Sequence, residues 1–117
     1  MKISEQGSIA VVSELPAFDH NTAFEFAGTV TQRVGKSLPT NVVVDLSETK
    51  GIYSAAIVEL VGLEDVLRSC GGVLVLAGIP KEALAAIRAA RLDTFFLIAP
   101  DVAAAVEKIN TERGASV

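Results

Sequence analysis

The chain has 117 residues, 50% of them hydrophobic, and a formal net charge of −4. That size and apolar content predict a buried core and exclude global disorder, while the mild acidity and the lack of any basic run argue against nucleic acid as a partner. A single cysteine, Cys70, leaves no intrachain disulfide and fits a cytoplasmic protein, Met1-Lys2-Ile3-Ser4-Glu5 does not read as a signal peptide, and no apolar run approaches the roughly 18 residues of a membrane span.

Residues 1–117 read as one domain without internal repeats. Ser8-Ile9-Ala10-Val11-Val12 predicts a first strand. Leu15 to Asn21 reads as a loop, because Pro16, Asp19 and Asn21 favour turns. Thr22, with Glu25 three residues later, forms a capping-box pattern and is expected to open a helix. Ala23, Ala27, Val30 and Val34 give that helix a buried face, and Gly35 and Pro39 end it. Val42-Val43-Val44-Asp45-Leu46 is the short, β-branched run of a strand covered on both faces. Ser47 to Tyr53 reads as a loop. From Ser54 to about Ser69, the residues Ile57, Leu60, Val61, Glu64 and Leu67 follow a helical period that is apolar apart from Glu64. Gly71-Gly72 stops that helix.

Val73 to Ala77 predicts a second buried strand, and Pro80 suits the first turn of a short helix marked by Leu84, Ile87 and Ala90 or Arg91. Thr94 to Ile98 predicts the last strand. Pro100 opens a final helix with Val102, Ala105, Val106 and Ile109 inward, and residues 111–117 read as a frayed tail. Alternation of this kind implies a mostly parallel or mixed sheet with helices packed on it. Right-handed crossovers gather the loops that follow the strands on one edge, where partners and ligands meet such folds. Two loops at or near that edge stand out chemically: Asp19-His20-Asn21 and Tyr53-Ser54-Ala55-Ala56.

No catalytic constellation is visible. His20 is the only histidine, so a metal site needing two is excluded. Cys70 and His20 could pair as nucleophile and base, but nothing in the sequence marks Cys70 as activated. Neither a phosphate-binding nor a dinucleotide-binding glycine loop occurs. Glu59, Glu64 and Asp65 share a helix and read as a solvated face. No catalytic residue, cofactor or metal is therefore expected.

Val42-Val43-Val44-Asp45-Leu46-Ser47, followed by Ile52-Tyr53-Ser54-Ala55-Ala56-Ile57, resembles the signature of the STAS domain, which is found in bacterial anti-sigma factor antagonists, stressosome proteins and the tails of sulfate transporters. The family pattern is a hydrophobic strand, a short loop, then Asp-Ser-Ser/Thr-Gly-Leu opening a helix. Asp19-His20-Asn21-Thr22-Ala23 is similar to a second family segment, Asp-x-x-Thr-Ala. The later stretches agree as well: Val73 to Pro80, the Leu84–Arg91 helix, Leu92-Asp93, the Phe95-Phe96 strand and the Pro100–Ile109 helix.

The resemblance implies a STAS-like α/β fold, a four- to five-stranded mixed sheet with about four helices packed on it. It implies a cytoplasmic, non-enzymatic regulator similar to anti-sigma factor antagonists, without cofactor and without membrane insertion. Its partner would be an anti-sigma factor with serine kinase activity of the GHKL type, and a homodimer is a further option. Ser54 takes the position that the kinase phosphorylates, and Asp19 that of a partner-recognition residue. His20, Asn21, Thr22, Tyr53, Ala55 and Ala56 complete the expected partner-binding set. Three neighbours depart from the pattern: Tyr53 replaces the acidic residue, Ala55 replaces Ser or Thr, and Ala56 replaces Gly. A bulky Tyr53 could shield Ser54, and losing the glycine stiffens the turn, since Ala avoids φ > 0. These departures leave two other readings open. One is an accessory subunit of a membrane transporter such as a lipid-exporting ABC system; the other is a non-switching scaffold of a stressosome-like assembly.

The same residues also have plainer readings. Ser54 could serve only as a helix N-cap, Asp19 as an Asx-turn residue, and His20 as a solvated loop side chain rather than a pH sensor. Tyr53 could face a partner or lie down on the sheet edge. Of Phe18, Phe24 and Phe26, two are expected in the core, and an outward one would mark a docking patch.

Overall fold

The computed structural model describes residues 1–15 and 17–115; residues 16, 116 and 117, and the side chains of residues 54, 55 and 112–115, lie outside the description. Four strands run parallel in chain order: β2 (Ile9–Ser13), β3 (Asn41–Asp45), β4 (Leu74–Ala77) and β5 (Leu97–Ala99). A fifth, β1 (Lys2–Gln6), pairs antiparallel with β2 and makes the sheet mixed. The central strands are unbroken apolar runs because both faces are covered. On one face Val42, Val44, Leu74 and Leu76 meet α1 (His20–Arg33), α2 (Ser54–Ser69) and α3 (Lys81–Ala89), through Phe26, Val30, Leu60, Leu63, Leu67 and Ile87. On the other, Ile9, Val11, Val43 and Val75 meet Ala105 and Ile109 of α4 (Val102–Ala115). Strand order follows chain order without reversal. The sheet therefore has none of the crevices that open where strand order reverses, the usual seat of a cofactor in α/β folds.

The expected strands and helices are present, with local differences that have physical causes. β1 was not visible as a strand in the sequence. It is an edge strand, exposed except for half-buried Ile3, and carries no apolar alternation to read. The last strand begins later than Thr94. Leu92–Thr94 form a 3-10 turn in which the Leu92 carbonyl accepts from the amides of both Phe95 and Phe96, at 3.0 Å each. This turns Phe96 into the core and leaves Phe95 outside, its ring edge-on to Phe96 at 5.1 Å. The backbone of residues 111–115, read as tail, continues α4.

Gly71-Gly72 ends α2 for two separate reasons. Gly71 takes a left-handed φ of 80°, and a Cβ on Gly72 would lie 1.9 Å from the Thr40 carbonyl oxygen. Glu64 corrects the expectation of a solvated acidic face on α2: it is buried, as its place in the apolar period allows. Its Oε1 accepts from Arg68 Nε, and its Oε2 has no partner among the described residues.

Candidate functional site

The loops leading into α1 and α2 are stitched together by three hydrogen bonds. Phe18 N–H donates to the Gly51 carbonyl at 2.7 Å, and Tyr53 N–H donates to the Phe18 carbonyl at 3.1 Å, which makes Phe18 and Ile52 a one-residue parallel bridge. Behind it the buried Thr49 hydroxyl donates to the Leu15 carbonyl at 2.6 Å. Phe18 itself is fully buried and packs on Phe26, with ring centroids 5.8 Å apart. The bridge places Asp19 and Tyr53 side by side, so two segments 34 positions apart in sequence present one rim at the heads of two helices.

On the α1 side, Asp19 rather than Thr22 caps the helix. Its backbone is extended (φ −89°, ψ −179°) and its Oδ1 accepts from Thr22 N–H at 2.9 Å. The expected Thr22–Glu25 capping box is thereby corrected. A carboxylate three residues upstream already satisfies the amide, and the helix starts at His20. That hydrogen bond from the Thr22 backbone, reinforced by the Thr22 side chain, holds the Asp19 carboxyl below its ordinary value of 3.8. His20 and Asn21 are exposed, and Thr22 is half-buried. The His20 ring lies 6.2 Å from that of Phe24, the outward phenylalanine of the three, which is 65% exposed.

On the α2 side, Tyr53 occupies the N-cap position and makes no side-chain cap. The hydrogen bond to Phe18 keeps Tyr53 extended (φ −106°, ψ 152°), so α2 begins only after it, with the Tyr53 carbonyl accepting from Ala56 N–H at 2.9 Å. Ser54 is thus the first helical residue and not the N-cap that its residue type suggested; its side chain, with that of Ala55, lies outside the described residues. Tyr53 is 58% exposed, and its ring covers Gly51, where a Cβ would meet the ring and hydroxyl at 3.3 Å. Ala56 is a correction: it is fully buried in the core and offers a partner no surface. Its backbone is helical, so replacing the family's glycine causes no positive-φ strain here.

Beside the rim, a cleft of about 250 Å³ separates it from the start of α3, walled by Lys50, Tyr53, Pro80, Glu82 and Ala83. The sequence did not single out Lys50, Gly51 or Thr49; the available signal was a glycine two positions before the aromatic Tyr53. Cys70 and His20 do not form a pair. Cys70 ends the 16-residue α2, roughly 24 Å from its head. Among the described residues no group of three His, Cys, Asp or Glu could hold a metal, and no helix is long and apolar enough to cross a membrane.

A five-stranded mixed sheet, with α1 and α2 fastened head to head, defines a STAS-type architecture. The family model of the STAS domain matches residues 1–105, and the chain belongs to that family. No curated protein matches it in sequence. Among solved structures, a candidate anti-sigma factor antagonist from Thermotoga maritima superposes with a TM-score of 0.85 at 16% identity, covering 93% of each chain. The anti-sigma factor antagonist SpoIIAA in its unphosphorylated form gives 0.70 at 13% identity over 97% of each chain. A sulfate transporter family protein from Wolinella succinogenes gives 0.76 at 12% identity over 91% of this chain and 88% of that one. At these identities the likeness is one of fold.

Proposed function

We propose that this chain is a non-enzymatic docking module of the anti-sigma factor antagonist type. The rim formed by Asp19, His20, Asn21 and Tyr53 receives a partner with serine kinase activity, and phosphorylation of Ser54 ends the contact. The observation that carries this reading is the Phe18–Ile52 bridge, which sets the first turn of α2 beside the Asp19-capped head of α1. The first turn of a helix has free amides and a partial positive charge, so a phosphate there is tolerated by the fold. It adds about −1.5 to −2 charges at pH 7 to the head of α2, which the bridge joins to that of α1. Against an acidic or apolar partner surface, about 3 kcal/mol of repulsion and desolvation weakens binding roughly 100-fold without any conformational change.

The test uses a purified serine kinase of the GHKL type from the same organism. With ATP it is expected to phosphorylate Ser54, and Ser54→Asp is expected to lower affinity for that kinase roughly 100-fold while the thermal midpoint stays near that of the wild type. An unmodified Ser54 together with unchanged affinity of Ser54→Asp would remove this reading. Those results, with co-purification of an ABC ATPase, would favour a transporter accessory role instead. Tyr53 in place of an acidic residue and the fold likeness to a sulfate transporter family protein speak for that second reading.

A further inference from the structure

α1 and α2 leave the Phe18–Ile52 bridge together and share an open furrow of about 370 Å³ on their outer side. Its walls are mainly apolar and include Phe24, Ala27, Leu63 and Val66. Val58, one turn before Gly62 on the same side of α2, is 68% exposed, and Phe24 is 65% exposed. Two exposed large apolar side chains beside an apolar furrow mark an interaction surface. Gly28 and Gly62 also line the furrow, one on each helix, and a Cβ on either would meet nothing within 4 Å. Packing within the chain thus gives no reason for two glycines in helix interiors, where glycine is unfavourable. Close approach by another backbone does.

Charge identifies the occupant. Glu59 lines the furrow, Asp65 stands exposed on α2, and Asp19 stands at the head of α1. Residues 19–32 and 53–67 contain no Lys or Arg. We propose that this furrow is a docking groove for an amphipathic helix of a partner protein, apolar on one face and rich in Lys and Arg beside it. Its backbone lies across Gly28 and Gly62, its apolar residues against Phe24 and Val58, and its cations near Glu59 and Asp65. This is helix-in-groove recognition with complementary charge. It rests on the reading of the α1–α2 head as a docking surface and gives the partner a second contact, away from Ser54.

The probe is a synthetic 18-residue helical peptide of Leu and Lys in amphipathic order, titrated into the ¹⁵N-labelled protein. Expected are amide shifts concentrated in residues 24–32 and 58–66. The affinity should fall about tenfold or more in Gly28→Leu/Gly62→Leu and in Glu59→Lys/Asp65→Lys, and it should weaken with salt. A Cβ at either glycine meets nothing within 4 Å, and the variant's own amide spectrum verifies that its fold is kept. Equal binding of a Leu/Glu peptide or of a scrambled Leu/Lys peptide overturns the proposal. So do shifts centred elsewhere, or unchanged binding by the glycine variant. A wild-type dimer that Gly62→Leu dissociates also overturns it, because a second copy would then fill the groove. Ser54→Asp adds charge of the rim's own sign and is expected not to weaken the peptide. Loss of kinase binding in Ser54→Asp with normal kinase binding in the glycine variant would end this inference and spare the rim.

Discussion

Asp19 does two things with one carboxylate: it caps α1 and supplies a charge on the rim. Thr22 lowers its pKa, and a depressed carboxyl contributes stability above its unfolded value, near 3.8, that is lost as pH falls through the folded value. Asp19→Ala is expected to lower the thermal midpoint at pH 7, and Asp19→Asn, still a capping residue, to lower it less. The difference between Asp19→Ala and wild type should shrink as pH drops below 3.8; a difference that grows on acidification would contradict the cap. Glu64 poses the opposite problem, a buried carboxylate with one oxygen paired to half-exposed Arg68 and one without a partner among the described residues. Arg68→Ala strands both oxygens and should cost about 1–3 kcal/mol. Glu64→Leu removes the buried charge and leaves Arg68 in water, so it should be neutral or stabilising, by about 1 kcal/mol or more. Urea midpoints with unchanged m values read both. Glu64 was legible as the one polar residue in an apolar period, whereas its burial depended on how α2 rolls onto its neighbours.

Helix ends and helix beginnings were not equally readable. The stop of α2 is local: a glycine in the left-handed region followed by one with no room for a side chain. Gly72→Ala would press a methyl group onto the Thr40 carbonyl and should cost about 1–3 kcal/mol or more by chemical denaturation; a neutral result would mean that the Thr40 segment yields freely. The start of α1 was displaced from Thr22 to His20, whereas α2 begins at Ser54 as expected and only its N-cap moved, from Ser54 to Tyr53. The cause at α2 is a tertiary hydrogen bond, Tyr53 to Phe18, which no window of neighbouring residues contains. At α1, two capping signals competed, and the carboxylate of Asp19 prevailed over the hydroxyl of Thr22. β5 was shortened in the same way, by the turn that Leu92 imposes on Phe95 and Phe96.

At the scale of the whole molecule, alternating apolar runs and amphipathic stretches were enough to specify a parallel-rich sheet with helices on both faces. What they could not specify was which loops touch. The rim exists because Phe18 pairs with Ile52, and pairing at that sequence distance leaves no periodic trace. Resemblance to a family pointed at the two loops; the bridge accounts for their adjacency, and the buried Ala56 removes one expected member from the contact set. The unreversed order of the strands also bears on how the chain is made. Each parallel strand adds beside the one synthesised before it, so the sheet can grow in the order in which the ribosome delivers it, from contacts between consecutive units. The last helix alone covers the face carrying Val43 and Val75. Until α4 emerges that face of the growing sheet has no cover, and α4 is the segment that supplies it.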